Sequence, residues 1–133
     1  MASSEVSAVL FAKDQARVAA FYREALGFIC TASDEDHSVL NCRGFDLIVH
    51  QIPKHILDER DVEEVPRQRG NSAIRLNFPV DSIETARSFA ASFGGHVDDS
   101  PPPWAPRDAN IYLGHDPKGN VFKVSQRTRA PAH

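Results

Sequence analysis

The chain contains an internal repeat, and this repeat constrains the fold more than any other feature of the sequence. Gly27 and Gly94 each follow a run of helix-like spacing, and they lie 67 positions apart. Gly44 and Gly119 each open a short apolar run, and they lie 75 positions apart, so the second half contains a longer loop. Two copies of one strand–helix–strand unit within 133 residues predict a single domain in which the two copies share a face.

Each half of the chain predicts the element order β-α-β-β-β, and the fold class is therefore α+β. Asp14 is suited to cap the first helix, and Asp81 with Glu84 predicts a capping box at the second. Apolar residues then recur at spacings of three and four, at Val18, Phe21, Tyr22, Ala25 and Leu26 and again at Ile83, Ala86, Phe89, Ala90 and Phe93. Strands are predicted over 7–12, 29–33, 37–42 and 45–52, and then over 72–80, 96–98, 109–114 and 120–126.

The predicted boundaries place one domain over residues 1–133. Module 1 covers about 5–53, a charged linker covers 54–71, and module 2 covers about 72–127. The linker is either a solvated connection or a flap over a site. Residues 100–107 contain four prolines and therefore predict a stiff loop, which carries Trp104.

Composition excludes several classes of partner. The formal net charge is −3 and no basic patch stands out, which argues against nucleic acid. No apolar stretch approaches the length of a membrane span. Cys30 and Cys42 are the two cysteines, and the first residues lack the pattern of a signal peptide. We therefore expect a cytoplasmic protein with reduced thiols.

Three short motifs carry a resemblance to a known family. They are Lys13-Asp14 followed by Phe21–Phe28 (Phe-Tyr-Arg-Glu-Ala-Leu-Gly-Phe), Val80-Asp81 before the second helix, and Asp116–Asn120 (Asp-Pro-Lys-Gly-Asn). With these motifs the chain resembles the vicinal oxygen chelate superfamily, which includes glyoxalase, bleomycin-resistance proteins, fosfomycin-resistance enzymes and extradiol dioxygenases. The resemblance implies two βαβββ modules whose sheets curl into a cup, and a homodimer that covers the sheet edges.

The resemblance also implies where a divalent metal would be bound, namely on the first and fourth strands of each module. In this chain the four positions are Ser7, Ile48, Arg75 and Lys123. Neither a guanidinium nor a charged ammonium group offers a lone pair to a metal. No cofactor is therefore expected, and a divalent metal is possible only with atypical ligands such as Asp46, His50 or His115.

Alternation along the strands predicts which side chains face the cup. If Lys123 faces inward, Ser125 does too, and the repeat adds Asp46, Ile48 and His50. If Arg75 faces inward, Asn77 joins it. The polar set is then Asp46, His50, Arg75, Asn77, Lys123 and Ser125, on an apolar floor that could include Val9 and Phe11. Such a set suits an anionic ligand, although Arg75 and Lys123 could instead pair with Asp46. His50 is either a catalytic base or a strand-end histidine bonded to a neighbour.

Two further residues of interest have alternative interpretations. Trp104 is either a lid that stacks on a planar ligand or a plug beneath the proline loop. Cys42 fits a buried small side chain better than a nucleophile.

The sequence leads to three functional hypotheses. The first is a metal-free small-molecule-binding protein of the bleomycin-resistance type, with an anionic or aromatic ligand in the cup. The second is a lyase, isomerase or dioxygenase-like enzyme, which uses either a metal with atypical ligands or metal-free acid–base catalysis. The third is a non-catalytic interaction module whose cup is filled by its own side chains.

Overall fold

A computed structural model describes residues 6–53, 55–56, 74–106 and 108–126. Two helices and eight strands in these residues follow the predicted order β-α-β-β-β twice, and residues 55 and 56 between the two modules are also helical. The first module contains β1 (Val6–Ala12), α1 (Gln15–Leu26), β2 (Ile29–Ser33), β3 (His37–Cys42) and β4 (Phe45–Gln51). The second module contains β5 (Asn77–Val80), α2 (Ile83–Ser92), β6 (His96–Val97), β7 (Ile111–His115) and β8 (Val121–Gln126).

Each module forms one four-stranded mixed sheet. The strand orders are β1-β4-β3-β2 and β5-β8-β7-β6. The first strand of each module runs parallel to the fourth, and the remaining pairs are antiparallel. The predicted α+β class with a duplicated βαβββ order is therefore confirmed.

The ends of α1 follow local sequence signals. The side chain of Asp14 accepts a hydrogen bond from the Arg17 N–H and so caps the first turn. Gly27 ends the helix with φ 76°, a left-handed conformation that glycine adopts without strain. Both predictions at this helix are confirmed.

The start of α2 differs from the prediction. Ser82, and not Asp81, has the extended backbone of a cap, and its side chain accepts from the Thr85 N–H at 3.2 Å. The capping box predicted with Asp81 is therefore wrong by one residue, because the helix begins at Ile83. Phe89 also departs from its predicted apolar face, since 42% of its surface is exposed.

The strand predicted over residues 72–80 is shorter in the structure. It begins at Asn77, which pairs with Lys123 of β8. In this parallel register residue 75 is level with Val121, the first residue of β8. The partner strand therefore does not extend far enough to pair with the start of the predicted segment. The linker predicted over 54–71 lies outside the described residues except for positions 55 and 56.

The core joins the two modules through the aromatic face of α1. Phe21 and Tyr22 on this helix contact Phe122 of β8 at ring-centroid distances of 5.9 and 6.3 Å, and Tyr22 also contacts Phe78 of β5 at 5.8 Å. All four rings are almost completely buried. Burial of an aromatic side chain is among the largest favourable terms in folding, so α1 fixes the second sheet as well as the first.

Candidate functional site

A cavity of about 530 Å³ lies between β1 of the first sheet and the segment that leads into β5 of the second. This volume falls in the range of small-molecule pockets. Its lining is largely apolar and comes from both modules: Ala8, Val9, Leu10, Phe11, Tyr22, Leu47, Ile52, Ile74, Leu76, Phe78, Lys118, Asn120, Val121 and Phe122. The lining residues thus come from both modules of one chain.

Polar groups reach the cavity from the turn between β7 and β8. Lys118 and Asn120 lie in its lining. The side chain of Asp116 forms hydrogen bonds within this turn. One carboxylate oxygen of Asp116, Oδ1, accepts from the backbone N–H groups of Lys118 and Asn120 at 2.8 and 3.0 Å. The turn that presents the ammonium and amide groups is therefore fixed by an internal carboxylate.

The other oxygen of Asp116 accepts a hydrogen bond from the Tyr22 hydroxyl at 2.6 Å. Burial raises the pKa of the Tyr22 phenol well above its usual range, and the adjacent carboxylate raises it further. Tyr22 therefore stays neutral at ordinary pH. Its ring forms part of the cavity wall while its hydroxyl links α1 to the β7–β8 turn.

Asp46, Ile48 and His50 share one face of the first sheet, opposite to the buried Leu47 and Val49, and we call it the outward face. Strand alternation predicts that the three share a face, and the sequence placed that face towards the cup. Asp46 is 8% exposed and accepts a hydrogen bond from the Asn41 side chain on β3 at 2.8 Å. The side-chain amide of Asn41 on the adjacent strand is therefore one partner of Asp46.

His50 lies in a row of rings that crosses three strands. It is directly opposite Phe11 of β1 and His37 of β3 in the strand register. Its ring centroid is 5.6 Å from that of Phe11 and 6.4 Å from that of His37. The Nδ1 atom of His50 donates to the Gln51 carbonyl at 3.0 Å, which agrees with the interpretation of a strand-end histidine bonded to a neighbour.

Asp34, in the turn before β3, lies beside this row. Its Oδ1 accepts from the backbone N–H groups of Asp36 and His37 at 2.8 and 2.9 Å and lies 3.0 Å from the His37 Nδ1. The two backbone hydrogen bonds hold the pKa of the Asp34 carboxyl below its usual range. The carboxylate is therefore ionised and fixed in position.

The outward face of the second sheet carries Asn77, Lys123 and Ser125. Asn77 is level with Lys123 across the parallel pair, and the Ser125 hydroxyl lies 3.4 Å from the Asn77 side-chain oxygen. Arg75 is exposed and precedes the strand. Trp104 is 57% exposed in the proline loop.

The structure thus separates the residues proposed from the sequence into two groups, one in each module. Asp46 and His50 lie on the first sheet, and the remaining five belong to the second module: Arg75, Asn77, Trp104, Lys123 and Ser125. None of the seven is among the described residues that line the cavity. On β8, however, Val121 lines the cavity and Lys123 follows it on the same face of the strand.

The donor set at the four positions of the superfamily does not fit a divalent ion. Ser7, Ile48, Arg75 and Lys123 provide a hydroxyl, a hydrocarbon, a guanidinium and an ammonium group. Over 6–53, 55–56, 74–106 and 108–126, no group of three or more histidine, cysteine, aspartate or glutamate residues could hold a metal ion. We therefore derive no step through a metal at these positions.

Sequence reasoning missed most of the cavity wall. Leu76 and Phe78 lie on the segment entering β5, and Lys118 and Asn120 lie on a turn that the sequence identified only as a structural motif. The Asp-Pro-Lys-Gly-Asn turn could have indicated this part of the wall, because it leads directly into β8. The first two residues of that strand, Val121 and Phe122, line the cavity. No local pattern indicated that Tyr22 would reach Asp116, 94 positions away.

Comparisons with known proteins agree with this architecture. The glyoxalase-like domain family matches residues 7–125, so the chain belongs to that family and, with it, to the vicinal oxygen chelate superfamily. No curated protein sequence matches the chain significantly. Among the helices in the described ranges, none is long and apolar enough to span a membrane.

Solved structures show the same fold at low sequence identity. A glyoxalase/bleomycin resistance protein/dioxygenase family enzyme from Burkholderia phytofirmans PsJN is 18% identical, with a TM-score of 0.65 over 93% of this chain and 98% of that one. The fosfomycin resistance protein FosX from Listeria monocytogenes is 12% identical, with a TM-score of 0.65 over 96% and 94%. Hypothetical protein SA1046 from S. aureus is 17% identical, with a TM-score of 0.64 over 96% and 95%. At such identities the likeness establishes the fold and not the activity.

Proposed function

We propose that this protein binds a small aromatic molecule that carries an anionic group, and that it does so in the cavity between β1 and the segment entering β5. The observation that carries the proposal is the cavity itself, with a volume of about 530 Å³ and a largely apolar lining. An apolar pocket with a few convergent polar groups is the usual form of a small-molecule site.

The polar groups at the cavity support an anionic end on the ligand. Lys118 brings a positive charge to one part of the lining, and the adjacent Asn120 brings an amide. A ligand longer than the cavity would pass Val121 and reach Lys123 and Asn77 on the same sheet face. The anion-binding role expected of Lys123 therefore remains part of the proposal, with Ser125 beside it.

Binding, rather than the metal-assisted chemistry of the superfamily, is supported by the donor set. Serine, isoleucine, arginine and lysine occupy the four positions that the resemblance assigns to the ion. A protein that retains the scaffold and the cavity with this set of side chains is suited to sequester a ligand. The nature of the natural ligand is set by the shape of the cavity.

The proposal is tested by thermal denaturation with 2-naphthoate and with its neutral analogue 2-naphthalenemethanol. A ligand that binds only the native state stabilises it by mass action, by about 2.7 kcal/mol at a concentration 100 times Kd. We expect both compounds to raise the melting temperature and the carboxylate to raise it more. Ala8→Phe, which places a ring in the cavity, should abolish both effects.

Two lysine variants test which positive charge gives the carboxylate its larger stabilising effect. Lys118→Met should remove the advantage of 2-naphthoate over the alcohol, and Lys123→Met should reduce it only if the ligand reaches that strand. Leu76→Trp provides a second blocking variant, and circular dichroism checks that each variant folds. Unchanged stabilisation of both blocking variants by both compounds would contradict the cavity as the site.

We also propose a homodimer in the cytoplasm. The outward face of the first sheet exposes apolar side chains, of which Ile29 is 66% exposed and Phe11 is 58% exposed. Apolar patches on a sheet face are often covered by a second subunit.

The cytoplasmic location is supported by the use of only two cysteines, since small secreted domains commonly rely on disulfides.

A further inference from the structure

Two histidines lie directly opposite each other on the outward face of the first sheet. His37 of β3 pairs with His50 of β4 in the antiparallel register. Their rings are nearly parallel, with an interplanar angle of 20° and a centroid separation of 6.4 Å. Directly opposed residues have Cβ atoms about 4.5–5.5 Å apart. Because an imidazole binds a metal through a lone pair in the plane of its ring, the two rings must tilt towards each other to reach one ion.

Hydrogen bonds fix the same tautomer in both rings. The Nδ1 atom of His50 lies 3.0 Å from the Gln51 carbonyl oxygen, which can only accept, so this nitrogen carries the proton. The Nδ1 atom of His37 lies 3.0 Å from the Asp34 carboxylate, which likewise accepts. Each neutral ring is therefore left with its lone pair on Nε2.

The hydrogen bond from Nδ1 is a feature that both rings share with metal-binding histidines in proteins. A ligating histidine almost always donates its second ring N–H to a carboxylate or a backbone carbonyl, and this bond orients the ring and strengthens the ligand. Here His37 has the carboxylate and His50 has the carbonyl. The carboxylate is itself held by two backbone N–H groups, so the support is in place before any ion binds.

We propose that His37 and His50 form a two-histidine binding site for a divalent transition metal ion of the kind that imidazole prefers, such as Cu²⁺, Ni²⁺ or Zn²⁺. The remaining coordination positions would be filled by water or, in the proposed homodimer, by a group of the second subunit, because the proposed dimer contact uses the same sheet face. The site differs from the four positions of the superfamily, since His50 lies two residues beyond Ile48 and His37 belongs to the third strand. Neither histidine lines the proposed ligand cavity, so a test of the metal site does not depend on ligand binding in that cavity.

The second sheet contains a histidine pair that serves as an internal comparison. His96 and His115 are also directly opposed, with centroids 5.8 Å apart. In this pair, however, the Nε2 of His96 lies 3.3 Å from the Asp98 carboxylate. The His115 Nδ1 lies 3.1 Å from the Asp116 carbonyl, so the two rings do not leave the same nitrogen available.

The test is a Cu²⁺ titration of the full untagged chain, followed by calorimetry and by electron paramagnetic resonance. We expect one saturable site per chain whose spectrum shows coupling to two imidazole nitrogens. His37→Gln and His50→Gln should each weaken Cu²⁺ binding at least tenfold and remove one nitrogen coupling. The paired variant His96→Gln with His115→Gln should leave affinity and spectrum unchanged.

Three results would overturn the proposal. They are the absence of saturable Cu²⁺ binding, retention of full affinity when His37 and His50 are both replaced by Gln, and loss of binding in the His96/His115 variant alone. Melting temperatures measured without metal check that the glutamine variants fold. A spectral change at His37→Gln with unchanged stability would separate a lost ligand from a lost fold.

Discussion

At the scale of single residues, the hydrogen bond between Tyr22 and Asp116 adds a polar connection to the aromatic contacts that join the two modules. A hydroxyl on α1 bonds a carboxylate that is only 1% exposed at the end of β7. That carboxylate also organises the turn presenting Lys118 and Asn120 to the cavity. The same carboxylate therefore contributes both to the contact between the modules and to the conformation of the turn at the cavity.

We expect Tyr22→Phe to lower the free energy of unfolding by about 1.5–3 kcal/mol at pH 7, as for the loss of a hydrogen bond to a charged group. The raised pKa of Tyr22 sets the sign of the pH dependence. Below about pH 10 the phenol is protonated in both states and the contribution is complete. Above that, the unfolded state releases the proton and the folded state keeps it, so the contribution falls as pH rises.

Urea denaturation of wild type and variant at pH 7 and at pH above 10 measures this difference. It should be largest at pH 7 and should shrink in alkali. A difference that stays constant over the whole range would contradict the assignment of the raised pKa to Tyr22.

Gly27 and Gly95 are expected to resist substitution for different reasons. Gly27 has φ 76° with open space around its missing side chain, so its replacement costs backbone strain alone. At Gly95 an added Cβ would lie 2.5 Å from the His115 carbonyl oxygen and closer still to the Phe21 ring. We expect Gly27→Ala to cost about 1–2 kcal/mol in unfolding free energy and Gly95→Ala to cost more.

Denaturant melts of the two alanine variants compare these costs directly. Gly27→Val should be at least as destabilising as Gly27→Ala, because a β-branched residue fits a positive φ poorly. Equal stability of Gly95→Ala and wild type would show that the close approach to His115 and Phe21 is relieved without cost.

At the scale of elements, capping decides where α2 begins. Ser82 accepts from the Thr85 N–H, so Ser82→Ala should cost about 1 kcal/mol of stability. Ser82→Asp is the matched control, because aspartate is an equally good cap and should preserve stability. A melting temperature lowered equally by both substitutions would indicate that the side-chain hydrogen bond is not the cause.

At the scale of the whole molecule, the exposed apolar side chains on the outward face of the first sheet predict how two chains would associate. Ile29 and Val39 lie on this face, which Asp46 and His50 share. If a second subunit covers the face, Ile29→Lys and Val39→Lys should shift the protein from dimer to monomer. Analytical ultracentrifugation at micromolar concentration makes the measurement.

The helix side of the molecule provides the control for this experiment. Phe89 on α2 is 42% exposed, so Phe89→Lys adds the same charge away from the sheet face and should leave the dimer intact. A wild-type protein that sediments as a monomer, or a dimer lost only in Phe89→Lys, would contradict the assigned surface.

The sequence by itself determined the elements and their order. The cap at Asp14, the turn at Gly27 and the apolar spacing of α1 all act between residues within about four positions, so they can be identified from the chain alone. The same is true of the face shared by Asp46, Ile48 and His50, because alternation along a strand is a local property.

Only the tertiary structure decided which distant side chains meet. The register of β3, β4 and β1 placed His37, His50 and Phe11 in one row, and the closure of the modules brought Tyr22 to Asp116 and left a cavity between β1 and β5. A one-residue change of register would turn each side chain to the opposite face, and short-range patterns do not specify that register. Strand pairing and packing between modules set it, and they join segments far apart in the chain.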